Sequence, residues 1–173
     1  MRIKIDLPEI KDYTKDKRIP LQKIYNLFSK FNSNWIGDVI YYQKADYGKN
    51  KHLALPILAF RTKKQGNAVW IISGIHGEEP AGPNAIAKNI RFLNRLSKKI
   101  PLVIIPLCNP NGYWRNWRYP NRKFMSKNGG PEISVGDSSH FLIDSKNRKK
   151  SREEKSPSKV SMALNSYILR NGI

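Results

Sequence analysis

Cysteine is almost missing: Cys108 stands alone in 173 residues. That excludes an internal disulfide and a four-cysteine zinc site, and it fits a reducing compartment. Its ordinary role is that of a small buried residue. Histidine is scarce as well, with only His52, His76 and His140. No apolar run is long enough to cross a bilayer. The opening Met1-Arg2-Ile3-Lys4-Ile5-Asp6 lacks the apolar stretch of a secretory signal. These absences predict a cytoplasmic location and no membrane partner. Acidic residues are also few: 13 Asp and Glu against 32 Lys and Arg leave a net charge of +19. Such a field attracts nucleic acid and other polyanions. The lysines are spread along the chain instead of gathered in one tract, which weakens that inference.

What is present suits one soluble domain with a real core, since 39% of residues are hydrophobic and mean hydropathy is -0.59. Residues 1–19 are charged and irregular and read as an N-terminal extension. Pro20 followed by Leu21, Ile24, Leu27, Phe28 and Phe31 predicts a helix at about 20–31. Val39–Tyr42 and Leu53–Phe60 predict strands around an Asp46–Asn50 turn, with Pro56 tolerated only at an edge or a bulge. Val69–Ile72 is apolar on both faces and predicts a central strand. From Pro83, the residues Ile86, Ile90, Leu93 and Ser97 share a helical face, with Phe92 and Leu96 beside it. Leu102–Leu107 is a further apolar strand, and strand, helix, strand makes a βαβ unit whose two strands should be parallel. The long stretch 108–155 lacks periodicity. Its first part is aromatic, and its charged end predicts a mobile loop at about 144–155. A last helix is predicted from about Pro157, with Val160, Leu164, Tyr167 and Ile168 on its apolar face.

Three groups of residues carry chemistry. The first is Ser73-Gly74-Ile75-His76-Gly77-Glu78-Glu79-Pro80-Ala81-Gly82, a glycine-flanked turn between a buried strand and a helix. Zinc accepts imidazole nitrogen and carboxylate oxygen, and a spacing of three lets His76 and Glu79 face one ion. The second is Asn109-Pro110-Asn111-Gly112-Tyr113, directly after the next strand. Parallel sheets place their sites beyond the carboxyl ends of strands, so this turn should sit beside His76. The third is Arg115, Arg118 and Arg122 among Trp114, Trp117 and Tyr119. A guanidinium can grip a carboxylate or stabilise an oxyanion. The alternative use of such a segment is stacking on single-stranded nucleic acid.

Residues 71–113 resemble the M14 family of zinc carboxypeptidases, through the His76/Glu79 ligand motif and the Asn-Pro-x-Gly-Tyr string. The resemblance implies a mixed, largely parallel α/β sheet with helices on both faces, spanning 20–173 as an incomplete domain truncated at its C-terminus. It implies one zinc ion held by His76 and Glu79, and Arg118 as the residue that polarises the scissile carbonyl. Asn109, Gly112 and Arg115 are read as substrate-binding. Val135-Gly136-Asp137-Ser138-Ser139-His140 stands where many members carry an Asn-Arg pair for the substrate carboxylate, similar to a divergent branch of the family. The family's third histidine and its catalytic glutamate have no match before residue 173, so the chain is expected to be the N-terminal part of a longer enzyme. His140 is the candidate substitute ligand. The implied reaction is hydrolysis of a peptide or peptide-like amide. The alternatives are deacylation of N-acyl amino acids, as in relatives resembling succinylglutamate desuccinylase and aspartoacylase, and a non-enzymatic RNA- or polyanion-binding module.

Overall fold

The uninterrupted apolar run Leu102–Ile105 forms β4, a strand buried along its whole length in the computed structural model, which describes residues 12–118 and 159–171. Its neighbours are β3 (Val69–Ile72), parallel to it, and β2 (Lys51–Thr62), antiparallel through Phe60 and Arg61. β1 (Trp35–Gly48) pairs antiparallel with β2, so the described strands lie in the order β1-β2-β4-β3. The sheet is mixed, as expected, and the strand–helix–strand unit is parallel, but among the described pairings the antiparallel ones outnumber the parallel one, against the expectation of a largely parallel sheet.

β3 departs from expectation in its position. Its apolar sequence predicts a central strand, yet it is the outer strand among the described residues, with Val69 54% exposed. Apolarity on both faces reports helix cover, not strand neighbours. Ile71 packs on one side of the sheet, and Trp70 and Ile72 on the other. The β1–β2 hairpin is also longer than the two apolar runs predict. Backbone pairing continues through Gln43, Lys44 and Asp46 and closes at Lys49-Asn50, where Asn50 has φ 59°. Pro56 is accommodated because the ladder is irregular between Val39 and Tyr41, and because β4 reaches only the far end of β2.

Helices cover both faces. On one side α1 (Leu21–Phe28) is shorter than its spacing predicts, and Leu27 and Phe31 are only partly buried, but it buries Leu21, Ile24 and Phe28 as expected and Tyr25 besides. Burying each such side chain contributes about 2 kcal/mol. The helix predicted from Pro83 starts earlier and is broken into α2 (Ala81–Lys88) and α3 (Ile90–Leu96). Asn89 interrupts it at φ -105°, ψ 15°, and its side-chain amide donates to the Ala85 carbonyl at 2.9 Å. The predicted face, Ile86, Ile90, Leu93 and Ser97, is buried, whereas Phe92 is 52% exposed. On the opposite side α5 (Lys159–Asn171) seats Val160 and Leu164 against Ile57, Ala59, Ile105 and Cys108. No helix among the described residues is long and apolar enough to cross a membrane.

Cys108 sits in that second cluster, and burial pushes its thiol up to about 12. At pH 8 this makes the thiolate fraction smaller than that of a free cysteine by on the order of a thousandfold. Thiol labelling of the native protein is therefore expected to be slow, and fast once denaturant is added. Equal rates in the two states would contradict the burial.

Candidate metal centre

Because β3 and β4 are parallel, their carboxyl ends emerge side by side, and hydrogen bonding continues past both. Ser73 N–H donates to Ile105 O at 3.0 Å, Cys108 N–H to Ser73 O at 3.0 Å, and Asn109 N–H to Gly74 O at 2.9 Å. Gly74 then turns the chain with φ +63°, a conformation glycine adopts without strain. Residues 75–80 form the turn that enters α2. Beyond β4, the string expected to be a turn is a short helix, α4 (Pro110–Arg115). Asn109 caps it, accepting from Gly112 N–H at 2.9 Å, and Pro110 occupies the first position, where no N–H is needed. Asn116, at φ 59°, ends the helix and directs the chain toward Arg118.

This arrangement brings together the predicted metal pair and the predicted catalytic arginine. His76 Nδ1 lies 3.0 Å from Glu79 Oε1. Arg118 Nη1 donates to Glu78 Oε1 at 2.8 Å and to Glu79 Oε1 at 3.3 Å. The Arg118 carbonyl accepts from Gly77 N–H at 3.2 Å and from Asn109 Nδ2 at 3.1 Å. The His76–Glu79 turn and the α4 segment are thus joined by backbone as well as by charge. The His76 side chain is 18% exposed and that of Glu79 61% exposed, so the pair opens to solvent.

Asn109 and Gly112 belong to the wall of this site. Asn109 is 1% exposed, and its amide is engaged by Gly112, Gln43 and Arg118. Arg115 is placed differently. Its guanidinium lies between the rings of Trp114 and Trp117, 4.6 and 4.5 Å from their centroids. It faces an open cleft of about 540 Å³ shared with Tyr13, Asp46 and Tyr47. Burial draws its pKa down, and the charge of Asp46 opposes that shift. His140, Arg122, the Val135–His140 string and the charged loop at 144–155 lie outside the described residues.

Two residues of the site escape sequence reading. Gln43 Nε2 donates to Asn109 Oδ1 at 3.2 Å, while its Oε1 accepts from Asn111 N–H at 2.9 Å. A signal for it exists: Gln43 and Ala45 point inward between exposed Tyr42, Lys44 and Asp46, so a polar residue holds a core position. Arg18 is buried beneath the turn and meets Gly77, Tyr113, Asn116 and Asp16. Nothing local distinguishes it within Lys15-Asp16-Lys17-Arg18. Its guanidinium holds the Asp16 carboxyl below the usual carboxylate range.

The donor chemistry of His76 and Glu79 suits zinc. Two donors about 2.0–2.2 Å from a tetrahedral ion stand roughly 3.3 Å apart, close to the 3.0 Å seen between Nδ1 and Oε1. They form part of a ligand set: no group of three or more His, Cys, Asp or Glu side chains able to hold a metal occurs among the described residues.

A mixed α/β sheet with helices on both faces and a His-x-x-Glu turn at the end of a parallel strand is the architecture of metallocarboxypeptidase-like proteins, and the comparisons agree. Over 102 residues, 47% of this chain, the sequence is 28% identical to carboxypeptidase 2 of Trichophyton tonsurans, a match that spans 19% of that protein. The fold aligns with a candidate metallopeptidase of Shewanella amazonensis at a TM-score of 0.56 and 20% identity, over 88% of this chain and 52% of the other. It aligns with bovine thrombin-activatable fibrinolysis inhibitor, solved with tick carboxypeptidase inhibitor, at 0.51 and 20% identity, over 90% of this chain and 57% of the other. No family model matches the sequence. The chain is carboxypeptidase-like in sequence and metallopeptidase-like in fold, and it spans about half the length of these solved structures.

Proposed function

We propose that this chain carries part of the active site of a zinc-dependent hydrolase that cleaves amide bonds in peptides or peptide-like substrates. The convergence of His76, Glu79 and Arg118 at the carboxyl end of a parallel strand pair carries this reading. His76 and Glu79 would hold the zinc, which when bound polarises a carbonyl and activates water. Arg118 supplies positive charge beside the oxygen that becomes negative during attack. Glu78 keeps that guanidinium in place at 2.8 Å. Asn109 and Gly112 shape the wall against which substrate lies, and Arg115 offers a guanidinium to a substrate carbonyl or carboxylate in the adjoining cleft. On this reading the remaining ligand and the proton-carrying glutamate come from outside the described residues, with His140 the candidate for the ligand.

Among the described residues of the aromatic segment, Trp114 and Arg118 do not favour the nucleic-acid alternative. Trp114 is buried in the core, and Arg118 is bound by two glutamates.

Zinc content decides the matter. The purified protein is expected to retain close to one zinc per chain after dialysis, and His76→Ala to bind it at least about 100-fold more weakly. Hydrolysis of an amide bond in a peptide or peptide-like substrate is the activity expected of the completed site. Turnover of N-acyl amino acids in place of peptides would move the assignment to a deacylase. A wild-type protein without zinc that co-purifies with salt-sensitive nucleic acid would overturn the proposal.

A further inference from the structure

We propose that Arg18 is a positioning residue of the metal centre, one that fixes the His76–Glu79 turn relative to the segment carrying Arg118. The inference rests on the zinc reading above. Its first support is burial. The Arg18 side chain has no exposed surface, in a chain with a large surplus of cations that could have stayed in water. Burying a charge is unfavourable unless it is paired and fully hydrogen-bonded, so such a site is specified by its surroundings.

Each guanidinium nitrogen has a partner. Nε donates to Asp16 Oδ1 at 2.9 Å. Nη1 donates to Gly77 O at 3.0 Å and also to Tyr113 O. Nη2 donates to Asn116 Oδ1 at 2.7 Å and also to Asp16 Oδ2. The plane lies against the Tyr113 and Tyr13 rings, 4.9 and 5.1 Å from their centroids. This is the fixed fork of an arginine, which a lysine ammonium does not reproduce.

The identity of the partners gives the arrangement its meaning. Gly77 lies within the ligand turn, between His76 and Glu78. Arg18 holds its carbonyl, while the Arg118 carbonyl holds its N–H at 3.2 Å. Both polar groups of one residue in the ligand turn are therefore anchored. Tyr113 and Asn116 belong to the path from α4 to Arg118, and Asn116 makes the left-handed bend on that path. A single guanidinium thus spans the two halves of the site. Groups behind metal ligands orient them, and their loss weakens metal binding by 10- to 100-fold in typical cases.

The test compares wild type with Arg18→Lys, Arg18→Met and Asp16→Asn. Zn2+ affinity and the visible spectrum of the Co2+-loaded protein are measured at a temperature where each variant is folded, with thermal unfolding recorded in parallel. Arg18→Lys is expected to stay folded, to bind Zn2+ about 10- to 100-fold more weakly and to alter the Co2+ bands. Asp16→Asn, which keeps the guanidinium, is expected to show a smaller loss in the same direction. Should Arg18→Met fail to fold, the other two variants still decide. A folded Arg18→Lys with wild-type Zn2+ affinity and spectrum would overturn the inference and leave the zinc reading intact. A wild-type protein that binds no Zn2+ would overturn that reading, and this inference with it.

Discussion

Gly77→Ala is expected to lower stability by about 3 kcal/mol or more, at the upper end for overpacking. A Cβ at Gly77 would stand 2.0 Å from the carbonyl carbon of Gly112, 2.2 Å from Tyr113 N and 2.5 Å from Gly112 Cα. These are backbone atoms of α4, which cannot rotate aside as a side chain would. Relief requires the ligand turn and α4 to separate. That would break the Gly77–Arg118 backbone bond and pull Arg18 from one of its two carbonyls. Gly48→Ala is the control: its nearest neighbour would be Lys51 Cδ at 3.6 Å, so the change should stay within about 0.5 kcal/mol. Denaturant unfolding of both variants makes the measurement. Equal stabilities would show that the turn and α4 are not in contact as described.

Asn109→Ala is expected to cost about 3 kcal/mol. Loss of a helix cap accounts for about 1 kcal/mol. The rest comes from buried groups left unpaired, at about 1–3 kcal/mol each where water cannot reach them. Beyond the cap's own Gly112 N–H, two groups lose a partner: Gln43 Nε2 and the Arg118 carbonyl, which keeps the Gly77 N–H. Asn109→Asp separates the contributions. An aspartate keeps the cap acceptor and suits a helix N-terminus, but it sets a carboxylate oxygen where Nδ2 now donates to Arg118 O at 3.1 Å. Partial recovery of stability without recovery of zinc affinity is the expected outcome. An alanine variant within about 0.5 kcal/mol of wild type would mean that the amide does not fasten the site.

The strand–turn–helix around His76 is legible because its signals are consecutive: an apolar strand, glycines, then helix formers. The parallel pairing of β3 and β4 follows from chain connectivity, and with it the placing of Asn109 beside His76. The outer position of β3 among the described strands is not legible, since a residue list reports face cover and not which edge is paired. α4 is hidden by shared vocabulary: Asn109, Pro110 and Gly112 open a helix with the same residue types that make a turn. Half of the hairpin is missed where pairing runs through polar residues such as Lys44 and Asp46. Arg18 is the deepest omission, because the partners that join it to the site lie 59, 95 and 98 positions away.

Those separations bear on when the site forms. Bringing Arg18 to Gly77 and Tyr113 closes loops of 59 and 95 residues, and the entropy of such closures must be overcome before the contacts reward it. The β1–β2 hairpin and α1 are local and can form early. The metal turn should reach its final shape only once residues near 18, 43, 77 and 113 have met, among the last events of folding. Zinc affinity during refolding would then rise later than sheet content does, so the ion would select chains that are already native and would do little to nucleate them.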